Sequence, residues 1–302
     1  MIKAVSLEMG MTNEIRCVVP AGDICGEGAV WHPEQNALYW TDINRFLVHR
    51  FDPASGATYT WIFEEPVTAV CLTTEPERLL LVLGSKAALW SPRTHPRLKP
   101  IYDLPSWPGM RFNDARVDPR GSLWAGIMRN NVGPQGETLE VDFAGGILYR
   151  IDPDGTVSEW KRELGISNTM AWSPDRKTFH SGDSSANVIY SFAYDERTGN
   201  ISEERTLLSG HPHGLPDGSA IDAQGYLWNA RYGGRCVLRI APDGSVDRVL
   251  PMPVANPTTC TFGGAGLKTL FITSARSEDR LSGSIFAIET EVGGIPDHRF
   301  RV

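Results

Sequence analysis

The chain repeats itself six times, and that repeat constrains the fold more than any other feature of the sequence. Three segments are close copies of a turn followed by an apolar strand: Asp118-Pro-Arg-Gly-Ser-Leu-Trp-Ala-Gly126, Asp222-Ala-Gln-Gly-Tyr-Leu-Trp-Asn-Ala230 and Ser173-Pro-Asp-Arg-Lys-Thr-Phe-His-Ser181. Three looser copies run from His32 to Trp40, from Glu75 to Val82 and from Gly263 to Phe271. Anchored on Trp40, Leu81, Trp124, Phe179, Trp228 and Phe271, the copies are spaced about 41–55 residues apart. That is close to the blade period of β-propellers. A second repeated strand follows the first in several copies: Val48–Asp52, Leu148–Asp152 and Leu238–Ala241. Helix signals are nearly absent, and Asp-Gly, Ser-Gly and Thr-Gly dipeptides punctuate short apolar runs. The expected fold is all-β: a six-bladed β-propeller with four antiparallel strands per blade, forming one domain over residues 1–302. An early strand around Ile15 to Val19 is expected to pair with the last blade near Ser284 to Ile288, closing the ring and covering both edges.

The phase of the repeat places the chemistry. Each anchor belongs to the second strand of its blade, so the innermost strand begins some 11–13 residues earlier. Innermost strands line the central channel. The residues at that phase are Glu27, Thr68, Asn113, Asn168, Asp217 and Thr259. All should lie near the axis at one end, as a ring of oxygen-bearing side chains where a structural core would place apolar ones.

Two carboxylates, Glu27 and Asp217, with the amides of Asn113 and Asn168, form a hard-oxygen cluster suited to Ca²⁺, Mg²⁺ or Mn²⁺ and tolerant of Zn²⁺ or Fe²⁺. Converging carboxylates repel unless a cation or proton lies between them, so one divalent metal ion is expected. Arg111 lies two residues before Asn113, and in a strand the two share a face. A cation and an amide there can bind hydroxyls, a carboxylate or a developing oxyanion. A divalent ion polarises a carbonyl and lowers the pKa of bound water, while a neighbouring carboxylate accepts a proton. This set suits hydrolysis of an activated ester. There is no Gly-x-Ser-x-Gly elbow, no Ser/His/Asp triad and no glycine-rich phosphate loop. His213 lies close to Asp217 in sequence; entrance residue and exposed loop histidine are equally good readings of it.

Charge and composition exclude several classes. A net charge of -7 and a pI near 5.5, without any basic run, argue against nucleic-acid and membrane partners. Met1–Pro20 lacks the apolar core of a signal peptide. Five scattered cysteines (Cys17, Cys25, Cys71, Cys236 and Cys260), with no Cys-x-x-Cys pair, fit reduced thiols and a cytoplasmic location. A monomer or weak homo-oligomer is expected.

Several stretches together carry a family resemblance: Gly26-Glu-Gly-Ala-Val-Trp31, Arg111-Phe-Asn-Asp114, Val117-Asp-Pro-Arg-Gly121, Ser167-Asn168 before Trp172-Ser-Pro-Asp175, Pro216-Asp-Gly218 before Ile221-Asp222, and Cys260-Thr-Phe-Gly-Gly264. In this order and spacing, from about Glu27 to Ala275, the chain resembles the gluconolactonase/regucalcin family, also called the senescence marker protein and luciferin-regenerating enzyme family. The resemblance implies one divalent metal carried by Glu27, Asn168 and Asp217, with Asp217 also the general base. It makes Arg111 and Asn113 the substrate-binding pair. Two positions depart from the family pattern. Ala115 replaces the usual glycine after Arg-Phe-Asn-Asp, and Asn131, beside Asn130, stands where some relatives carry an acidic substrate contact. An amide hydrogen-bonds sugar hydroxyls but cannot act as a base, so glucono-, xylono-, arabinono- and galactonolactone all fit. The implied activity is hydrolysis of sugar-acid lactones to aldonic acids. The competing readings are a broader paraoxonase-like esterase on the same fold and a non-catalytic calcium-binding propeller.

Overall fold

The computed structural model describes residues 14–302; residues 1–13, which the single-domain expectation also covers, lie outside the described residues. The Asp-x-x-Gly repeat has a local cause. Asp118 Oδ1 accepts from the backbone N–H groups of Arg120 and Ser122, holding the turn, while Oδ2 accepts from Trp124 Nε1 at 3.0 Å. Asp222 does the same with Gln224, Tyr226 and Trp228 Nε1. In the third copy Ser173 Oγ takes the place of the carboxylate, accepting from Lys177 and Thr178. One side chain thus closes the turn between the first two strands of a blade and satisfies the buried indole of the second. An unpaired indole N–H there would incur a desolvation penalty.

Six antiparallel four-stranded sheets follow. Their innermost strands are Gly26–His32, Val67–Thr73, Met110–Val117, Ser167–Trp172, Leu215–Ile221 and Pro257–Gly263. The six anchors all fall in second strands and are almost wholly buried. In the last blade, Arg16–Val19 forms the outermost strand, with Arg16 opposite Ala287 and Cys17 opposite Phe286. Helix among the described residues amounts to three single 3₁₀ turns. All five cysteines are free thiols.

The apolar core is divided rather than central. Six clusters of buried side chains each fill the gap between one pair of neighbouring blades, such as Val30, Tyr39 and Val48 against Val70, Leu72 and Leu81. Each large side chain buried there contributes on the order of 1.5–3 kcal/mol. Hydrophobic burial is therefore complete around the ring, which frees the axis for polar groups.

The two ends of the channel differ. The second blade carries a fifth strand, Arg299–Phe300, paired in parallel with Leu72 and Thr73 on its innermost edge. The C-terminal segment reaches this place across the fifth blade, where Ile295 N–H donates to Ile221 O, and Asp297 pairs with Arg116 at 2.7 Å. That end of the channel is covered by the chain's own tail. The opposite end is where the innermost strands begin.

Candidate functional site

Every innermost strand breaks register with its neighbour at the same place. The slips fall between Glu27 and Val30, Val67 and Ala69, Phe112 and Ala115, Asn168 and Met170, Pro216 and Ser219, and Pro257 and Cys260. A bulge re-aims side chains out of the regular pleat. Glu27, Thr68, Asn113, Asn168, Asp217 and Thr259 all sit at or inside these slips, and all are buried. At the first slip Gly28 has φ +58°, and its N–H donates to Glu27 Oε2 at 2.9 Å, orienting that carboxylate.

The ring is unequal. Thr68 donates its hydroxyl back to Val82 O in its own blade, and Thr259 packs its hydroxyl against Gly218. Glu27 and Asp217 are both buried in the ring and influence each other's titration. Burial, the chief cause, and the nearby Asp114 hold both above the ordinary carboxylate range, Glu27 at about 8; Glu27 raises Asp217 further, whereas Asp217 acts to lower Glu27. Asp114 is itself buried and raised by that burial. Asn113 Nδ2 donates to Asn168 Oδ1 at 2.9 Å and to Ser167 O at 3.0 Å. Arg111 Nη1 donates to Asn113 Oδ1 at 2.8 Å, and Arg111 Nε and Nη2 both donate to Asn131 Oδ1. With its oxygen so engaged, Asn131 has only its NH₂ group to offer a ligand. Arg111 is 4 % exposed, and burial lowers its pKa to about 10. No carboxylate among the described residues forms an ion pair with it.

His213 is exposed, and its backbone carbonyl accepts from Arg231 Nε. Arg231 also donates to Gly214 O and to Asn187 Oδ1, clamping the loop that leads into the Asp217 strand. Behind Asp217, Asn229 Nδ2 donates to its backbone carbonyl and to the hydroxyls of Thr169 and Ser219. Sequence reasoning missed Asn229 and Arg231. The signal was present: aligned on the anchors Trp124 and Trp228, they stand where the third blade has Ala125 and Ile127. Polar side chains at two successive inward positions of a buried strand require partners.

The donor set is consistent with a hard cation. Two buried carboxyls repel, and Asp114 adds a third carboxyl that acts on both. Among the described residues no group of three or more His, Cys, Asp or Glu side chains is placed to hold a metal, so a cation here would take amide oxygens to complete its ligands. Oxygen-only sets of that kind suit Ca²⁺, Mg²⁺ or Mn²⁺.

Fold and site together define a β-propeller with a buried polar cluster at the end of its axis away from the C-terminal tail. The chain belongs to the SMP-30/Gluconolactonase/LRE-like family, whose model matches residues 25–276. It is 32% identical to the pentonolactonase XacC of Haloferax volcanii, over 91% of this chain and 94% of that protein. It is 33% identical to a 6-deoxy-6-sulfogluconolactonase of Pseudomonas putida, over 96% and 99%. Among solved structures it superposes on a calcium-binding protein, regucalcin, from Agrobacterium tumefaciens with a TM-score of 0.87 at 26% identity, covering 96% of this chain and 98% of that one. Proteins named lactonases are hydrolases of carboxylic esters.

Proposed function

We propose that this protein hydrolyses sugar-acid lactones to aldonic acids, using one divalent cation held by Glu27, Asn168 and Asp217 with Asn113 alongside. The observation that carries this reading is the pair of buried carboxyls, Glu27 and Asp217, in one ring with the hydrogen-bonded amides of Asn113 and Asn168. When bound, a divalent cation polarises the lactone carbonyl and makes water more acidic. Asp217 accepts a proton from the attacking water as the new C–O bond forms at the carbonyl carbon. The ring C–O bond then breaks, and the departing ring oxygen takes the proton back from Asp217 to become the hydroxyl of the open acid. Arg111 and the Asn131 amide supply donors for the carbonyl oxygen and the sugar hydroxyls, and the buried setting strengthens each contact. Sugar lactones, rather than simple esters, fit a mouth whose ligand-facing groups are hydrogen-bonding, and the lactonase relatives point the same way.

The test is a pH-indicator assay on aldonolactones, aryl esters and phosphotriesters, with and without EDTA. Five- and six-membered aldonolactones should be the best substrates, EDTA should abolish turnover, and added divalent cation should restore it. γ-Butyrolactone turned over as efficiently as every aldonolactone would refute the hydroxyl-reading mouth. Turnover indifferent to EDTA would refute the cation.

A further inference from the structure

We propose that Ser184, a residue outside the cluster, sets which way the Asn168 carboxamide faces and so makes that side chain a cation ligand rather than a donor that opposes one. An asparagine amide can turn over with almost no change of shape, exchanging an oxygen acceptor for an NH₂ donor, and only its hydrogen bonds decide between the two. The deciding atom here is a backbone carbonyl. Pro216 O can only accept, and Ser184 Oγ lies 2.6 Å from it, so the single hydroxyl proton is committed there. Towards Asn168, 2.8 Å away, the serine oxygen can then only accept. The Asn168 atom facing it must be Nδ2, which leaves Oδ1 on the other branch of the amide, 2.9 Å from Asn113 Nδ2.

Asn113 is fixed by the same logic. Its Nδ2 also donates to Ser167 O, a second atom that can only accept, and this turns Asn113 Oδ1 towards Arg111 Nη1. Two carbonyls thus impose one direction on a chain of hydrogen bonds crossing three blades, from Arg111 to Pro216. Arg111, Asn113, Asn168 and Ser184 are all buried, so bulk water offers no alternative partner. Pro216 directly precedes Asp217, and the serine therefore ties the amide ligand to the strand that carries a carboxylate ligand. Ser184 touches neither cation nor substrate; it is a positioning residue. Its consequence for cation binding rests on the proposed function above.

The experiment compares Ser184→Ala in two backgrounds of the full-length protein, with Kd for Ca²⁺ and for Mn²⁺ read by calorimetry. In the natural background Ser184→Ala should weaken binding about 10–100-fold, the usual effect of removing the partner behind a ligand. Ser184→Thr keeps the hydroxyl and should stay within about threefold of the unsubstituted protein. In Asn168→Asp, whose two oxygens are equivalent, there is no orientation to lose, and adding Ser184→Ala should change Kd by less than about threefold. Equal losses in both backgrounds, or no loss in the natural one, overturn the proposal. A second readout needs no cation: the Asn168 side-chain amide protons should exchange slowly in the cation-free protein and about tenfold faster in Ser184→Ala. Fast exchange in the unsubstituted protein overturns the orientation. Slow exchange in a protein that takes up no cation supports the orientation and overturns the cation reading alone.

Discussion

At the scale of single residues, Glu27 and Asp217 look alike, two buried carboxyls raised chiefly by burial and by Asp114 nearby, yet the proposed roles separate them. Asp217→Asn retains an oxygen ligand but removes the base, so kcat at saturating cation should fall about 10²–10⁴-fold, the usual worth of a general base. Recovery of full kcat by excess cation would leave Asp217 a ligand only. Glu27→Gln should lose cation binding and turnover while the far-ultraviolet circular dichroism persists, because the site is not part of the six apolar clusters. His180 makes a different statement. It is buried in the fourth blade, Nδ1 has no hydrogen-bond partner, and burial lowers its pKa from 6.5 to about 4. The fold holds the neutral ring. The stability tied to that form is therefore complete above pH 6.5 and is lost as pH falls from 6.5 towards 4, up to about 3 kcal/mol. Unfolding free energy measured across that range should fall less steeply in His180→Gln; parallel curves for the two proteins would exclude the residue as a cause.

The elements matter chiefly through the six bulges. A regular strand would alternate side chains strictly between its two faces, whereas the slip after Glu27 turns that carboxyl to the axis and needs Gly28 at φ +58°. A Cβ on Gly28 would lie 2.6 Å from Ala69 Cα and Thr68 O, both backbone atoms of the next blade that cannot move aside. Gly56 also has a positive φ, but nothing lies within 4 Å of its Cβ position. Gly56→Ala should thus cost only the left-handed conformation, about 1–2 kcal/mol. Gly28→Ala adds overpacking of about 1–3 kcal/mol and should also reduce turnover. Equal shifts of the two urea midpoints would show that the close approach of the blades is relieved by relaxation.

For the whole molecule, the decisive contact joins the start of the described chain to its last blade. Arg16–Val19 supplies that blade's outer strand, so deletion through Val19 leaves an unpaired edge beside Phe286 and Ala287. Compared with deletion through residue 13, it should lower the melting temperature and promote concentration-dependent association through the bare edge, read by calorimetry and light scattering. Identical melting and scattering for the two truncations would mean that this strand does not hold the ring. The tail at the other end acts differently. It packs across one end of the channel, where Ile295 meets Ile221 and Asp297 meets Arg116, and the polar ring lies at the other end. Among the described residues no helix is long and apolar enough to cross a membrane.

The sequence by itself determined the number of blades and the phase of the axis. Both are local matters: in six blades an anchor that must be buried and a polar residue 11–13 positions before it, and in three of them an Asp or Ser turn closed by its own side chain. The same periodicity picked out Glu27, Asn113, Asn168 and Asp217 as neighbours, because a ring maps equal phase onto equal height. Only the tertiary structure decided which members of the ring face one another. Thr68 turns back to Val82 O, Asn229 and Ser184 support the site from behind, and Arg116 pairs with Asp297, 181 residues away. None of these follows from period or spacing. Each depends on where a bulge sends a side chain and on which donor of a neighbouring blade is still without an acceptor, and that is defined only once the ring has closed.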